Sequence, residues 1–415
     1  MNRVVVPPPV FRRALELARR HGAVWLPSEL SSRSRGSDLL LRGPITVTDE
    51  AASGAGCLLM CSAPFLLAAR ELARHHQAVG LLVVASDGER AAVELLEPGT
   101  ELDGVLLVGP GMHWLPLGYS ELRRALFAAR ARADVTGRER WSRTIGAIGS
   151  EGAWRRLCQL SFGIVGCGRS GSLFARDLAG LGVKRIDLVD PDLQELHNSG
   201  EMVLVRPDDD KSKAVALQER LRETAPWCET AAIVADVRHP DAIKALREVD
   251  VLIAAADNEG ALLITALLAA AFHKPLVTVA TGVRRADDGA RRMGADVRLV
   301  LPGDPQGPCL LCLGSVRSMF RALEALSAPG RREADFRTER AGSLQSLNAL
   351  AVSMAILMLT ELITERLTGS RWTRLEVDPT STVAVRYPNA VINPECSLCA
   401  KAGLGDQVLA VGTTE

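Results

Sequence analysis

Ile164-Val165-Gly166-Cys167-Gly168-Arg169-Ser170-Gly171-Ser172 is the stretch that decides the fold of this chain. An apolar run over 161–165 meets three glycines spaced G-x-G-x-x-G, and a helical pattern follows over about 172–181. Without side chains, the turn lets phosphate oxygens approach backbone amides, and the helix N-terminus adds partial positive charge. Asp190 closes the next expected strand, 185–189, where a carboxylate can hydrogen-bond ribose hydroxyls. Alone, the pattern denotes a nucleotide site, with a dinucleotide-dependent oxidoreductase as its default reading. A tight turn with no ligand is the bland alternative.

Outward from this loop, apolar strands and helices alternate. Strands are expected over 161–165, 185–189, 231–235, 251–255 and 275–279, and helices over 213–224, 239–248 and 260–272. That alternation predicts an α/β domain: a Rossmann-like, mainly parallel sheet with crossover helices. Beyond Pro302 the regularity fades. A charged loop over 322–340 precedes a long helix starting near Ser343, and residues 409–415 read as a mobile tail. Upstream, residues 1–117 predict a small α+β accessory domain. It has an amphipathic helix ending near His21, a helix opened by Ser62-Ala63-Pro64, and strands over 79–84, 91–96 and 105–108. The Arg- and Ala-rich 118–150 reads as a helical connector, 151–400 as the nucleotide domain and 401–415 as a C-terminal tail.

The 415 residues carry 49 Lys+Arg against 49 Asp+Glu, so a binder relying on broad positive charge, such as a nucleic-acid protein, is disfavoured. The first residues lack a long apolar core, which argues against a secretory signal. The apolar runs at 260–272 and 347–359 are short for a bilayer. These features predict a cytoplasmic protein without a membrane partner. Four of the nine cysteines form two C-x-x-C pairs, Cys309/Cys312 and Cys396/Cys399. That spacing suits one zinc knuckle per pair, and four thiolates leave no open position, so the expected zinc is structural. Cys57, Cys61, Cys158 and Cys228 read as small core residues, with Cys167 facing the packing side of its loop.

Several ordered segments together resemble the ThiF/MoeB family, adenylate-forming relatives of ubiquitin-activating enzymes. They are Arg140-Trp141-Ser142-Arg143, the loop Gly166–Ser172, Asp190-Pro191-Asp192 with Glu195 and Asn198, Lys213-Ala214, Ala256-Asp257-Asn258, Gly342-Ser343-Leu344 and the two cysteine pairs. The resemblance implies an ATP-dependent adenylyltransferase that activates a carboxylate as an acyl adenylate. The carboxylate would be the C-terminus of a small ubiquitin-like or sulfur-carrier protein, or a peptide of a natural-product pathway. It implies that Asp190 holds the ribose, that Lys213 and Arg143 stabilise phosphate charge, and that Asp257 coordinates Mg2+. Asn198 would assist the phosphates, and Gly166, Gly168, Arg169, Gly171, Ser172 and Asp192 would complete the nucleotide cradle. It also implies a homodimer in which Arg143 serves the partner's site.

Some positions depart from that pattern. Glu201 stands where the family usually has an arginine, and Arg169 or Arg206 are the available replacements. The helix after Asn258 begins Ala261-Leu262-Leu263, without the family's arginine. A degenerate, non-catalytic scaffold is therefore a competing reading. Lys211 competes with Lys213 for the basic role, and His197 reads as a polar loop residue. Residues 313–340 contain no cysteine, which disfavours a thioester relay and favours direct transfer to an external nucleophile. The first domain is read as a degenerate JAB/MPN-like module. Its His21, His75, His76 and His113 include no His-x-His pair, so it should be metal-free and serve docking.

Overall fold

The computed structural model describes residues 2–33, 36–42, 45–46, 57–62, 72–73, 75–84, 91–95, 102–107, 114–116, 139–195, 202, 211–285, 291–304, 307–315, 344–364, 366–367, 369–377, 382–388 and 392–410. Asn198, His197, Glu201, Arg206, His113, residues 118–138 of the 118–150 connector, the loop over 322–340 and the last five residues lie outside them.

The first sheet contains β1 (Asn2–Val6), β2 (Ala23–Arg33), β3 (Gly36–Leu41), β4 (Ile45–Thr46), β5 (Cys57–Ser62), β6 (Gly80–Val84), β7 (Ala91–Leu95), β8 (Leu102–Leu107) and β9 (Trp114–Pro116). Their order is β7-β6-β5-β2-β3-β1-β8-β9, with β4 paired to β2. Helix α1 (Pro8–His21) lays Phe11, Ala14 and Ala18 on Val24, Leu58 and Met60. Ser62 is the last residue of β5, paired in parallel with Val84; of the helix expected after it, residues 72, 73 and 75 are helical and 63–71 lie outside the described residues.

After α2 (Ser142–Ile148) and α3 (Glu151–Gln159) comes the second sheet. Strands β10 (Ser161–Val165), β11 (Arg185–Val189), β12 (Glu229–Ile233), β13 (Val251–Ala254) and β14 (Leu276–Arg285) pair in parallel in the order β12-β11-β10-β13-β14. The crossovers are α4 (Arg169–Gly180), α5 (Lys213–Thr224), α6 (Pro240–Glu248) and α7 (Glu259–Ala271). The expected α/β architecture is therefore present. Three strands absent from the sequence reading extend it: β15 (Arg291–Val300), β16 (Arg371–Val377) and β17 (Val383–Arg386) add antiparallel pairs. Strand order reverses between β10 and β13, and the crevice beyond the carboxyl ends of strands at such a switch is where open α/β sheets bind ligands.

Helix α8 (Gln345–Ile363) corrects the apolar-run reading. At 19 residues it is long and apolar enough to cross a membrane by length and composition. Half of its apolar window is buried: Leu347, Ala351, Val352, Ala355 and Leu359 join the core formed with Val297 and Leu375 of the sheet.

The two sheets meet at His273. Its imidazole is buried, its Nε2–H donates to the Leu41 carbonyl at 2.7 Å, and its backbone is left-handed at φ 50°. Burial depresses the His273 pKa to about 4, despite the Leu41 hydrogen bond and aided by Arg42. The native state therefore binds the neutral ring, and the unfolded chain takes up the extra proton below about pH 6.5. Stability should be intact above pH 6.5 and fall by up to roughly 3 kcal/mol as pH drops toward 4. Urea unfolding at pH 7 and pH 5 checks this. In His273→Asn, which suits positive φ, the pH-dependent difference should shrink by most of that amount.

Candidate active site

The glycine loop sits at the carboxyl end of β10, at the switch point. Gly166 has φ 91°, and a Cβ there would lie 2.7 Å from the Ala256 nitrogen and 2.9 Å from the Ala255 carbonyl carbon. A Cβ on Gly171 would lie 1.9 Å from the Gly166 oxygen. These two glycines are required by the fold itself, one for the turn across β13 and one for seating α4 on the strand. Gly168 differs: its φ is −71° and a Cβ there meets nothing within 4 Å. The fold gives no reason for its missing side chain, and its open side is where backbone amides and the start of α4 face outward.

Asp190 braces this loop from the end of β11. Its Oδ2 accepts the Cys167 N–H at 2.6 Å and its Oδ1 accepts the Asp192 N–H at 2.8 Å. Only 5% of it is exposed. Burial pushes the Asp190 carboxyl up, opposed by the two backbone donors and by Lys213. Each oxygen keeps a lone pair beyond these bonds. Cys167 itself is wholly buried in the core, which pushes its thiol well up.

Lys213 opens α5, where Ser212 caps the helix by accepting the Val215 N–H. The Lys213 Nζ donates to Asp192 Oδ2 at 2.9 Å, and its N–H donates to the Asp192 carbonyl at 2.9 Å. Lys211 instead pairs with exposed Glu219. Geometry thus places Lys213, not Lys211, beside the loop that Asp190 holds. Asp257 follows β13 on the other side of the switch point, exposed and without a hydrogen bond or ion pair among the described residues. Its neighbour Asn258 is structural: the Oδ1 accepts the Gly260 N–H at 2.7 Å and caps α7. Ser172 is buried in α4 and its hydroxyl donates to the Arg169 carbonyl.

Arg143 is not brought to this cradle. It is exposed on α2, two residues after Trp141, whose indole N–H donates to the Gly180 carbonyl at 3.0 Å. Trp154 and Trp227 likewise cap the Leu181 and Ala179 carbonyls, so this cluster marks the far end of α4. With 12 residues in that helix, the loop lies roughly 18 Å away.

One supporting residue escaped the sequence reading. Asn348, 4% exposed in α8, accepts from the Ser170 hydroxyl and from the Thr281 hydroxyl, both at 2.9 Å. It ties the loop to β14. The signal was present as a lone amide in the run Leu347-Asn348-Ala349-Leu350-Ala351.

The four cysteines of the C-x-x-C pairs converge beside α7, next to Leu276 at the start of β14 and Val300 at the end of β15. Their sulfurs all lie within 4.8 Å of one another, with Cys309–Cys312 at 3.7 Å, Cys309–Cys396 at 3.4 Å and Cys312–Cys399 at 3.8 Å. A tetrahedron of Zn–S bonds of about 2.3 Å has edges of about 3.8 Å, so the donor set fits zinc and is closed. A cavity of about 220 Å3 adjoins the tetrad, lined by Ala266, Leu276, Val300 and Leu310 among others. Its mostly apolar lining does not suit a triphosphate.

A family model described as the ThiF family matches residues 141–398, more than half of the chain. A sulfur carrier protein adenylyltransferase of Thermus thermophilus is 30% identical over 167 residues, which is 40% of this chain and 59% of that protein. The chain thus matches less than two thirds of that relative's length. Among solved structures, E. coli MccB with ATP matches at TM-score 0.48 and 18% identity, covering 63% of this chain and 74% of that one. PaaA matches at TM-score 0.47 and 15% identity, covering 65% and 92%. The family match begins at residue 141, so the JAB/MPN-like reading of the first domain gains nothing from it.

Proposed function

Because the chain belongs to the ThiF family, we propose that it is an ATP-dependent adenylyltransferase acting on the carboxylate of a small carrier protein or peptide. The observation that carries this is Gly168. Among the three loop glycines it alone has open space where a Cβ would go, in line with a loop kept bare for phosphate. The sulfur carrier protein adenylyltransferase relative favours a ubiquitin-like sulfur carrier as substrate; a peptide is the variant of the same chemistry.

A carboxylate oxygen of the substrate attacks the α-phosphorus of ATP, the bond to the bridging oxygen breaks, and pyrophosphate leaves. The attacking carboxylate is already ionised, so no base is needed. The task is to bring two anions together, by position and charge. In this reading the amides of Gly168 and Arg169, with Gly171 at the start of α4, cradle the phosphates, while the Gly166 and Ser172 N–H groups donate to the Val189 and Gly168 carbonyls and hold the turn. Asp190, its bracing bonds leaving lone pairs free, meets the ribose, and Asp192 holds Lys213 ready for phosphate charge. Asn198 adds to the phosphate contacts. Asp257 would hold Mg2+, which would supply charge neutralisation. Arg143, about one helix length from its own loop, acts only across a homodimer. Zinc on Cys309, Cys312, Cys396 and Cys399 is structural, and the setting is cytoplasmic.

Purified protein with ATP, Mg2+ and candidate carriers ending in a free carboxylate should catalyse ATP–pyrophosphate exchange. Asp257→Ala should lower exchange by about 10²–10³-fold while nucleotide still binds. Glu201, a carboxylate at the family's arginine position, favours a second reading as a binding protein. ATP binding with no exchange for any carrier decides for it, and preference for NAD over ATP decides for an oxidoreductase.

A further inference from the structure

On the α7 face of the sheet, pairing places Ala254, Thr278, Arg298 and Trp372 in one row across β13, β14, β15 and β16. The next row carries Asp296 and Arg374. Arg298 and Thr278 are 7% and 3% exposed, and among the described residues the Arg298 Nε and Thr278 Oγ1 have no hydrogen-bond partner. Leaving such groups buried and unpaired is costly, so a native pair of them points to a missing acceptor. The surroundings are built rather than incidental. Arg298 lies 5.1 Å from the centre of the Trp372 ring, and Arg374 sits at 5.1 Å from the same ring. Asp296 accepts from Trp372 Nε1 at 2.7 Å and from Arg374 at 2.9 and 3.1 Å, and faces Arg298 at 3.4 Å. Nearby Glu376 and Arg386 neutralise each other at 2.8 Å. Among the described residues, two guanidinium groups thus share one carboxylate, leaving one positive charge. Burial lowers the Arg298 pKa against the pull of Asp296, a further sign of a cation short of counter-charge.

We infer that the Thr278–Arg298–Trp372 row receives an acidic side chain of the acyl substrate's tail, three or four residues upstream of the carboxylate that reacts. This rests on the adenylation reading for its direction. The row starts at Ala254, and Ala255 and Ala256 beyond it lie against Gly166 of the cradle. Adjacent strands are about 4.8 Å apart, which puts Arg298 roughly 10 Å from the end of β13. Three or four extended residues span about 10–13 Å at roughly 3.3 Å each. Arg298 Nε–H and the Thr278 hydroxyl both donate, which suits an acceptor-only group such as a carboxylate.

The test uses the full-length protein and fluorescein-labelled seven-residue peptides that differ only in Glu or Gln at the third or fourth position from the carboxyl end. Anisotropy titrations, made with a non-hydrolysable ATP analogue present, should show one Glu peptide binding at least tenfold tighter than its Gln twin. Arg298→Leu should reduce that ratio to about one, and Thr278→Val should lower it severalfold. Melting curves establish that each variant is folded, and Arg298→Lys, which keeps the charge, should retain part of the preference. Equal binding of the twins, no binding of either, or a preference that survives Arg298→Leu overturns the assignment. So does a tenfold loss of ATP affinity in Arg298→Leu without any Glu preference, which would give the anion site to the nucleotide. ATP–pyrophosphate exchange is read separately. A Glu preference without exchange keeps this site and removes the adenylation reading.

Discussion

Gly171→Ala is expected to abolish cooperative folding of the nucleotide domain, while Gly168→Ala leaves it folded and removes nucleotide binding. A methyl on Gly171 would lie 1.9 Å from the Gly166 oxygen, a backbone atom that cannot swing aside. Relief requires α4 to lift from β10, opening a core that includes Phe162, Ile164, Leu173 and Phe174. The cost should exceed the roughly 1–3 kcal/mol of ordinary overpacking. At Gly168 the same methyl enters open space at negative φ, and the helix-start penalty is at most about 1 kcal/mol. The methyl does, however, occupy the approach to the amides. Gly171→Ala should therefore show no cooperative melting transition, whereas Gly168→Ala should melt cooperatively within about 10 °C of the wild type. Titration calorimetry on Gly168→Ala should show ATP affinity reduced by at least tenfold. Wild-type ATP affinity in Gly168→Ala would remove the reason given for that glycine and, with it, the main support for a phosphate cradle.

The contrast between those glycines shows what the sequence made legible. The motif located the switch point because buried parallel strands read as apolar runs, as β10 and β13 do, while β11 keeps its apolar Ile186, Leu188 and Val189 around the Arg185–Asp187 ion pair. Strand β16 was missed although Trp372, Arg374 and Glu376 alternate with Thr373, Leu375 and Val377. Its inward side chains pack on α8, whose place over the sheet is set by tertiary contacts. The polar half of the alternation reads like a loop when the helix beneath is unknown. The choice between Lys211 and Lys213 was similarly closed to sequence. It depends on the short bridge between Leu193 and Ser212 that folds the Asp192 segment back on the start of α5. Arg143 was legible as a motif residue, but its distance from its own loop was not, because Trp141 fixes it through contacts with residues 179–182, some forty positions downstream.

Removal of zinc should unfasten the C-terminal segment and loosen the junction between the two sheets, without direct effect on the nucleotide cradle. Cys309 and Cys396 are 87 residues apart, and closing such a loop costs roughly 4 kcal/mol of chain entropy. Metal binding offsets that cost, since ligand–metal bonds form only in the folded arrangement. What the closure holds is specific. After Cys399 the chain returns to the sheet junction, where the Gly403 and Gly405 N–H groups donate to the Ala270 and Ala271 carbonyls at the end of α7. Arg247 pairs with Asp406 at 2.7 Å, and Gln407 donates to Glu29 of the first sheet at 2.7 Å. Gly403 itself approaches His273 and Arg42 so closely that a Cβ there would lie 2.5 Å from the imidazole. A chelator strong enough to strip the site should therefore release one zinc per chain and lower the melting temperature by about 10 °C. Amide hydrogen exchange should rise first over residues 396–408 and next around Leu41 and Ala270. Cys309→Ser with Cys396→Ser should reproduce both effects. Because the tetrad adjoins α7 and the Leu276–Val300 end of β14 and β15, away from the carboxyl ends of the parallel strands that carry Gly168, ATP affinity of the stripped protein, measured at low temperature where it remains folded, should stay within about twofold of the untreated value. Well under one zinc in the folded, freshly purified chain, or ATP binding that falls in step with zinc loss at that temperature, would contradict a purely structural metal.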